Sequence, residues 1–596
     1  MAKNSVLNRP HVESRRGRSA KDLSRELNFN QSAGMLIPVL SQFCVKGTKG
    51  VINRRVFTRT AQVVSPAFDR VTQHIDFFKI PLRLLYSPFN DWSLNINDLN
   101  SSLLLSKVPS ADQNVLPQAL PSVDFSSLFD TIFDRSRFSG SNIDYQMTKA
   151  YNDGLRLLDF LGYGRSCISS SGSNVMNLLK LAAYQKCYFD YYRNTAYESN
   201  NAYYYNLDWA MASPLISLSD NTSVSILNGM FTLRYVNYRN DYFHNIYPHL
   251  NYVSSVPYGL DWSVPSDVQQ LVTFSSSATA PNGVSLMPTG VSTGASASSS
   301  QSMSARGVSV QSIRAAFALD KLSRASAYAP KHVRDQFKAR FGVDPGNKVS
   351  GECDRIGSYV NDVIFGEVTA TSGGQTGTTS GGSAVYSQLG DIGGKGIGSS
   401  QNDEDLHFYC EEDSIIMGLQ YFMPKGFYDS IGMDDFNAYS VREDFPQPEF
   451  ENLGLRPLYA KTLVNSGSAT DRNTIIGYTV PQQCLKLGID WNHGLFNRDM
   501  LLFNAPSTAG TGQPVGFTTS GALMSFATHV DQYRIMAQNP TAATAALFKV
   551  VPNDLDSIFK LNYSAIGNEF NDQFYGWMRI KLAIVNWQSI HGQPSL

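Results

Sequence analysis

Basic side chains are concentrated at the N-terminus of the chain. Within residues 1–25, seven cationic residues accompany only two acidic ones, and apolar residues are few. The cationic residues are Lys3, Arg9, Arg15, Arg16, Arg18, Lys21 and Arg25. Such a segment can displace counterions from phosphates and hold a nucleic acid without reading its sequence. A disordered, solvated tail has the same composition, so both interpretations stay open.

Groups suited to catalysis or metal binding do not converge in the sequence. His244 and His249 are five residues apart without a nearby Cys or a third His, which favours a structural role over metal ligation. The acidic clusters at 403–405, 411–413 and 434–435 could bind a hard cation through oxygen ligands, but a solvated edge is the favoured interpretation. We therefore expect no enzymatic activity, no metal site and no cofactor.

Two stretches are rich in small and polar residues. Residues 273–304 are mostly Ser, Ala, Thr and Gly, and residues 368–400 are mostly Gly, Ser and Thr. Neither can bury much surface, so both are predicted to be surface insertions. The run GDIGGKGIGSS at 390–400 contains a lysine but lacks the GxxxxGK[ST] spacing of a phosphate-binding loop. A mobile loop is the prediction for this run.

Aromatic side chains dominate the segment AYQKCYFDYYRN at residues 183–194. Aromatic residues at helical spacing usually belong to a core. Tyr and Arg are also enriched where subunits meet. The candidate interface residues in this segment are Tyr188, Tyr191, Tyr192 and Arg193. Packing within the chain and contact between subunits both remain open.

The clearest helical pattern covers residues 306–342. Apolar residues recur three and four apart, Pro330 stands in a predicted first turn, and Gly342 is typical of a helix end. Eight cationic residues face two aspartates here, which leaves a net charge of +6. We expect two short helices, with Arg314 and Arg334 as further candidate interface residues.

The composition of the whole chain limits the kinds of protein it can be. Its 596 residues carry a formal charge of −1, so no global field attracts nucleic acid. Charged residues make up only 17% and aromatic residues reach 12%, which favours large subunit interfaces or a large β sandwich. Six scattered cysteines without a CxxC motif, and the lack of an apolar signal segment, predict a protein made in a reducing cytosol.

Alternating apolar residues indicate strands near both ends of the chain. Residues 71–80 alternate between flanking prolines, which predicts a half-buried strand. In WMRIKLAIVNW, residues 577–587, apolar residues from Met578 to Ile584 share one face, while Arg579 and Lys581 share the other. First and last strands so distant in sequence suit an antiparallel sandwich.

Several motifs occur in the order seen in one viral family. They are GMLIPV at 34–39, AFDRV at 67–71, HIDFFKIPLRLLY at 74–86, LLDFLGYG at 157–164, AYQKCYFDYYRN at 183–194, LRYVNYRNDYFHNIYP at 233–248, EEDSIIMG at 411–418, PEFENLGLRPLY at 448–459 and GYTVPQQCLKLGIDWNHG at 477–494. Through them the chain resembles the major capsid proteins of Microviridae, the small single-stranded DNA bacteriophages, and is closer to spike-lacking, gokushovirus-like or alpavirus-like branches. The similarity does not extend to 273–304 or 368–400.

The resemblance implies an all-β fold, an eight-stranded antiparallel jelly-roll sandwich with very long inter-strand loops that contain short helices. We expect a basic arm at residues 1–26 and a single jelly-roll domain over 27–596. The implied function is that of a structural capsid protein, which self-assembles into a T=1 icosahedral shell around circular single-stranded DNA and contributes to host attachment. Synthesis in the bacterial host cytoplasm is expected.

The resemblance also implies partners. They are further copies of the chain, packaged single-stranded DNA, a small basic DNA-binding protein, a pilot protein, a scaffolding protein and a host cell-surface receptor. The alternative is a carbohydrate-binding or carbohydrate-acting β sandwich, since Trp and Tyr stack well on sugars. The lack of an export signal and of a carboxylate pair in a recognisable context counts against that alternative.

Overall fold

The computed structural model divides into two compact units, residues 251–344 and a larger unit of residues 1–250 and 345–596. Most described residues fall in 17–63, 70–94, 119–134, 143–169, 173–247 (except 197 and 212), 329–369, 392–400, 404–425, 433–448, 454–462, 475–493 and 572–589. Short described pieces are 136, 271–273, 302–304, 314, 317–318, 321–322, 374–378, 384–387, 428–429, 473, 549–550 and 559.

Ten strands among the described residues of the larger unit form its main β structure. They are β1 (Ser19–Asp22), β2 (Arg25–Gln31), β3 (Ile37–Cys44), β4 (Lys49–Val63), β5 (Val71–Pro81), β6 (Asp354–Thr369), β7 (Ile392–Ser400), β8 (Leu406–Tyr409), β9 (Ser414–Pro424) and β10 (Phe574–Asn586). Two very long connections interrupt them, residues 82–353 and 425–573.

The strands follow one antiparallel path in the order β1-β10-β4-β7-β6-β5-β9-β3, with β2 also beside β10 and β8 also beside β4. Strand β6 connects two sheets, because residues 354–363 pair with β5 and residues 364–369 pair with β7. The first sheet therefore contains β1, β2, β10, β4, β7 and β8, and the second contains β5, β9 and β3. The predicted all-β, antiparallel architecture is confirmed.

Side chains from the two sheets meet in a common interior. The rings of Phe422 on β9 and Phe574 on β10 stack with centroids 4.1 Å apart. Beside them lies a chain of buried amides, in which Gln73 donates to Gln420 at 3.1 Å and Gln420 donates to Gln31 at 2.7 Å. Each amide forms a hydrogen bond with the next one, so this buried row of glutamines fixes the register of the sheets without leaving its polar groups unpaired.

The α-helices among the described residues of the larger unit lie in the connection between β5 and β6. They are α1 (Phe89–Leu94), α2 (Leu128–Ile132), α3 (Ile143–Leu161), α4 (Leu179–Cys187), α5 (Asn221–Met230) and, after α6 of the smaller unit (Val333–Phe341), α7 (Asn347–Ser350). This arrangement confirms the predicted long loops with short helices. No helix in the described residues is both long and apolar enough to cross a membrane.

Further short strands in the described residues form small ribbons, one of which belongs to the smaller unit. They pair Ser122–Asp124 with Val175–Asn177 and Leu215–Ile216, Leu271–Thr273 with Ser302–Ser304, Gly374–Thr378 with Ala384–Ser387, Arg456–Tyr459 with Ile475–Thr479, and Tyr428–Asp429 with Trp491–Asn492. The paired ends of Leu271–Thr273 and Ser302–Ser304 bracket the predicted insertion 273–304.

Strand β5 differs from the expected half-buried strand. Its alternate residues Ile75 and Phe77 face the interior, but His74, Asp76 and Phe78 on the opposite side are also buried. The reason is that an aromatic segment from the β5–β6 connection covers the outer face of this sheet. A period of two in the sequence shows which residues share a face but not whether a distant segment covers it.

The glycine-rich end of residues 368–400 also differs from the expected loop, because residues 392–400 form β7 between β4 and β6. A Cβ atom on Gly396 would lie 2.5 Å from the Thr60 side chain, and one on Gly398 would lie 3.3 Å from Val363. These glycines therefore permit close strand packing rather than mobility.

Candidate assembly surfaces

The aromatic segment that covers the second sheet continues from α4 into a π-helical turn, Tyr188–Tyr192. The ring of Tyr191 lies 4.9 Å from Phe78, and the ring of Tyr192 lies 5.7 Å from Tyr421. Tyr191 also donates a hydrogen bond to the carbonyl of Cys353 at 2.6 Å. The segment is thus held on the sheet by ring packing and by the start of β6.

A buried carboxylate anchors this turn. Asp76 accepts a hydrogen bond from the Tyr192 hydroxyl at 2.6 Å and one from the Arg355 guanidinium at 3.0 Å. Burial, together with the negative charge of Asp76, raises the pKa of Tyr192 well above its usual range, so the hydroxyl stays a donor. Without Arg355 the Asp76 charge would lack its cationic partner.

A second polar cluster surrounds Tyr188, whose side chain is fully buried. Its hydroxyl donates to Glu198 at 2.6 Å and contacts the ammonium group of Lys549. Lys549 lies 3.3 Å from the same carboxylate, and burial lowers the pKa of Lys549. Arg193 is also buried and donates to the carbonyl of Glu198 at 2.6 Å.

The structure therefore places three of the four aromatic-segment candidates in packing within the chain. Tyr188, Tyr192 and Arg193 direct their polar atoms to residues of the same unit. Tyr191 remains 36% exposed and is the member accessible to a neighbouring subunit. A charge reversal at Arg193 would consequently disturb folding, because the guanidinium is surrounded by its own chain.

The smaller unit contains helix α6. It ends at Gly342 with φ +67°, as predicted, whereas Pro330 precedes the helix because the N-cap is His332. Arg334 forms two 2.7 Å hydrogen bonds to the carboxylate of Asp344. Val333, Phe337 and Phe341 follow one another at intervals of four and are all exposed, and Arg314 is exposed in another helical piece.

The N-terminal basic segment is only partly described. Lys3, Arg9, Arg15 and Arg16 lie outside the described residues. Arg18 is exposed next to β1, while Lys21 in β1 donates to Asn586 at 2.9 Å and Arg25 in β2 donates to Gln42 at 3.2 Å. Lys21 and Arg25 thus contribute to the edge of the first sheet.

The acidic cluster at 411–413 is engaged in ion pairs rather than in a cation site. Glu411 pairs with Lys348, and Glu412 pairs with Arg83 at 2.8 Å. Asp413 lies 3.6 Å from the ammonium group of Lys46. Within the described ranges no group of three or more His, Cys, Asp or Glu side chains could hold a metal ion.

Of the two histidines His244 and His249, the structure describes only His244, whose contacts are those of a packed side chain. His244 lies 2.9 Å from the Asp241 carboxylate and packs against the ring of Tyr238. His249 lies outside the described residues.

One buried ion pair was not apparent from the sequence. Arg156 on α3 lies 3.0 Å from Asp572, and both side chains are almost fully buried. Asp572 also accepts a hydrogen bond from Ser32 at 2.9 Å. No local signal could reveal this pair, because its partners are 416 residues apart.

Comparison with known proteins assigns this architecture to a family. A profile of the capsid protein (F protein) family matches residues 156–483, more than half of the chain. The chain belongs to the phage F capsid protein family. The F-protein match begins within α3, includes the aromatic segment and the elements from α6 to β9, and ends at residue 483. No curated protein matches the chain.

Membership in the F-protein family makes the chain a structural protein of the virion capsid rather than an enzyme. The match confirms the resemblance to Microviridae major capsid proteins. It also implies that copies of the chain self-assemble into a shell.

Proposed function

We propose that the chain is the subunit of a T=1 icosahedral shell that encloses circular single-stranded DNA. The F-protein match carries this proposal, because it covers β6–β9 of the sandwich together with the long β5–β6 connection from residue 156 onward. Closed shells need interfaces that repeat under rotation, and one sandwich provides too few edges for all of them. Long connections between strands supply the remaining contact surface.

The exposed apolar face of α6 is proposed to contact a neighbouring subunit, together with Tyr191, Arg314 and Arg334. Changing both Phe337 and Phe341 to serine is expected to give folded subunits that no longer close into shells, because the face no longer buries apolar surface. Size-exclusion chromatography and electron microscopy would measure closure.

The matched control is Ala339→Ser, which introduces the same hydroxyl on another side of α6 and should leave assembly unchanged. If the double phenylalanine variant forms normal shells, the apolar face of α6 is not a contact between subunits.

The basic N-terminal segment is proposed to contact the packaged DNA. Arg15→Ser, Arg16→Ser and Arg18→Ser in one variant should lower the DNA content of particles without changing their diameter, because phosphate contacts add up over many copies. Lys21 is kept because it holds Asn586 at the sheet edge.

Extracted nucleic acid would be quantified and treated with nucleases. We expect a genome that resists exonuclease and is cut by a single-strand-specific endonuclease. If particles of the triple variant contain the full amount of DNA, these arginines do not contribute to DNA binding.

The remaining roles follow from the same proposal. At least one of the two segments, 273–304 or the part of 368–400 that precedes β7, is proposed to lie on the outer surface and to contribute to attachment to a host receptor. A small basic DNA-binding protein, a pilot protein and a scaffolding protein are the proposed partners, with synthesis in the bacterial cytoplasm.

A further inference from the structure

The outward face of the first sheet carries exposed cations and aromatic rings in alternation. On β4 the outward residues include Arg55, Phe57 and Arg59, and on β10 they include Tyr575, Trp577 and Arg579. We call these six residues the basic sheet face. The intervening residues, such as Val56 and Met578, are buried in the sandwich interior.

The register of β4 and β10 places these side chains in three cross-strand pairs. Arg59 is opposite Tyr575, Phe57 is opposite Trp577, and Arg55 is opposite Arg579. Consecutive pairs are two residues apart, about 7 Å along the strands. The face is therefore a ladder in which cationic and aromatic groups lie side by side.

One of these pairs places two cations directly opposite each other. Arg55 and Arg579 carry like charges directly opposite each other, an arrangement that destabilises a sheet. Arg55 and Arg59 form no ion pair within the described part of the chain. Arg579 lies 3.8 Å from Glu26, its cross-strand neighbour on β2, and the Asp22 carboxylate on β1 also interacts with Arg579 electrostatically. Lys581, the next outward residue on β10, adds a further positive charge.

Two aromatic groups of the same face are accessible, and the third, Trp577, is half-buried. Tyr575 is 43% exposed and Phe57 is 36% exposed, and the Arg59 guanidinium lies 5.1 Å from the Phe57 ring. The second sheet differs, because the aromatic segment covers its outer face and buries Phe78. Exposed rings beside cations are the components of a surface on which bases stack while phosphates are neutralised.

We propose that the basic sheet face binds single-stranded nucleic acid. Arg55, Arg59 and Arg579 neutralise phosphates, and Tyr575 and Phe57 stack on bases. Single strands are favoured over duplexes because only unpaired bases present their faces for stacking. The cationic ladder disfavours a second copy of the same face, because like charges would meet. The identification of the ligand with a packaged genome rests on the proposed function.

The test measures binding of the full-length chain to a fluorescein-labelled oligothymidylate of about 20 nucleotides, a length that spans one or more such sites. Arg55→Gln with Arg59→Gln should weaken binding about tenfold at low salt. It should also reduce the slope of log K against log salt by about 1.4, since each lost phosphate contact on a single strand contributes about 0.7.

Stacking is tested separately by Tyr575→Leu, which keeps apolar bulk but removes the aromatic ring. Affinity should fall about fivefold with the salt slope unchanged, because stacking releases no counterions. A duplex of the same length should show no such loss. Thermal unfolding of each variant would verify that the sheet remains folded.

The matched control changes two exposed cations elsewhere, Lys425→Gln with Arg442→Gln, and should leave affinity within about twofold of the unmodified chain. An arginine variant that binds as the control does would overturn the proposal. So would an arginine variant that binds the oligonucleotide normally but no longer forms shells, because the face would then be a subunit contact.

These outcomes are separable from failure of the proposed function. A chain that binds the oligonucleotide through this face yet forms no shell would contradict the capsid proposal and leave this inference standing. If the chain forms closed shells and every variant of the basic sheet face binds the oligonucleotide with unaltered affinity, the capsid proposal stands and the binding role of this face is contradicted.

Discussion

Replacing Arg156 with methionine is expected to destabilise the protein by about 3–5 kcal/mol, because the change leaves the Asp572 carboxylate buried without its cation. The pair measures 3.0 Å, and both side chains are almost fully buried. It joins α3 to the residues just before β10 and, through Ser32, to the end of β2. Urea unfolding of unassembled subunits, followed by circular dichroism, would measure the loss.

The control for this prediction is Arg83→Met. Arg83 pairs with Glu412 at a similar distance of 2.8 Å, but the arginine side chain is 36% exposed, so water can replace the partner. We expect a change of at most about 1 kcal/mol. Equal losses in the two variants would show that burial does not determine the contribution of the Arg156 pair.

Replacing Gly34 with alanine is expected to cost about 2–5 kcal/mol, from a left-handed backbone and from steric overlap together. Gly34 has φ +75°, and its added Cβ would overlap the backbone carbonyl of Val550. Its amide donates to Phe422 at 3.0 Å and its carbonyl accepts from Val236 at 2.9 Å, so the backbone has little freedom to move. Thermal and urea unfolding would measure the effect.

Gly47→Ala separates the two contributions. Gly47 has a similar φ of +80°, but no atom lies within 4 Å of an added Cβ. Backbone strain alone predicts a loss of about 1–2 kcal/mol. If Gly34→Ala were no more damaging than Gly47→Ala, the close approach to Val550 would have no energetic weight.

The sequence could predict elements whose periodicity is local. Met578 and Ile580 are buried in β10 while Arg579 is exposed, as the alternation indicated, and Gly342 ends a helix. A distant segment that covers a strand leaves no local pattern, so the alternation in β5 predicts a half-buried strand although both of its faces are buried. Glycines in β7 resembled a loop because their role depends on neighbouring strands.

The candidate site was harder to predict than the fold. Tyr and Arg in the aromatic segment have the composition of an interface, but the partners of Tyr192 and Arg193 are in the same chain. Asp76 lies 116 residues from Tyr192, and such pairings depend on tertiary structure rather than on any local pattern. The cross-strand ladder on β4 and β10 similarly required the register of two strands from opposite ends of the chain.

The most direct test of the capsid assignment is cryo-electron microscopy of particles purified after expression of the full-length chain. We expect closed shells of uniform diameter with T=1 symmetry, in which sandwiches contact one another through the long connections. Discrete monomers that bind glycans and never form shells would contradict it and favour the carbohydrate-binding alternative.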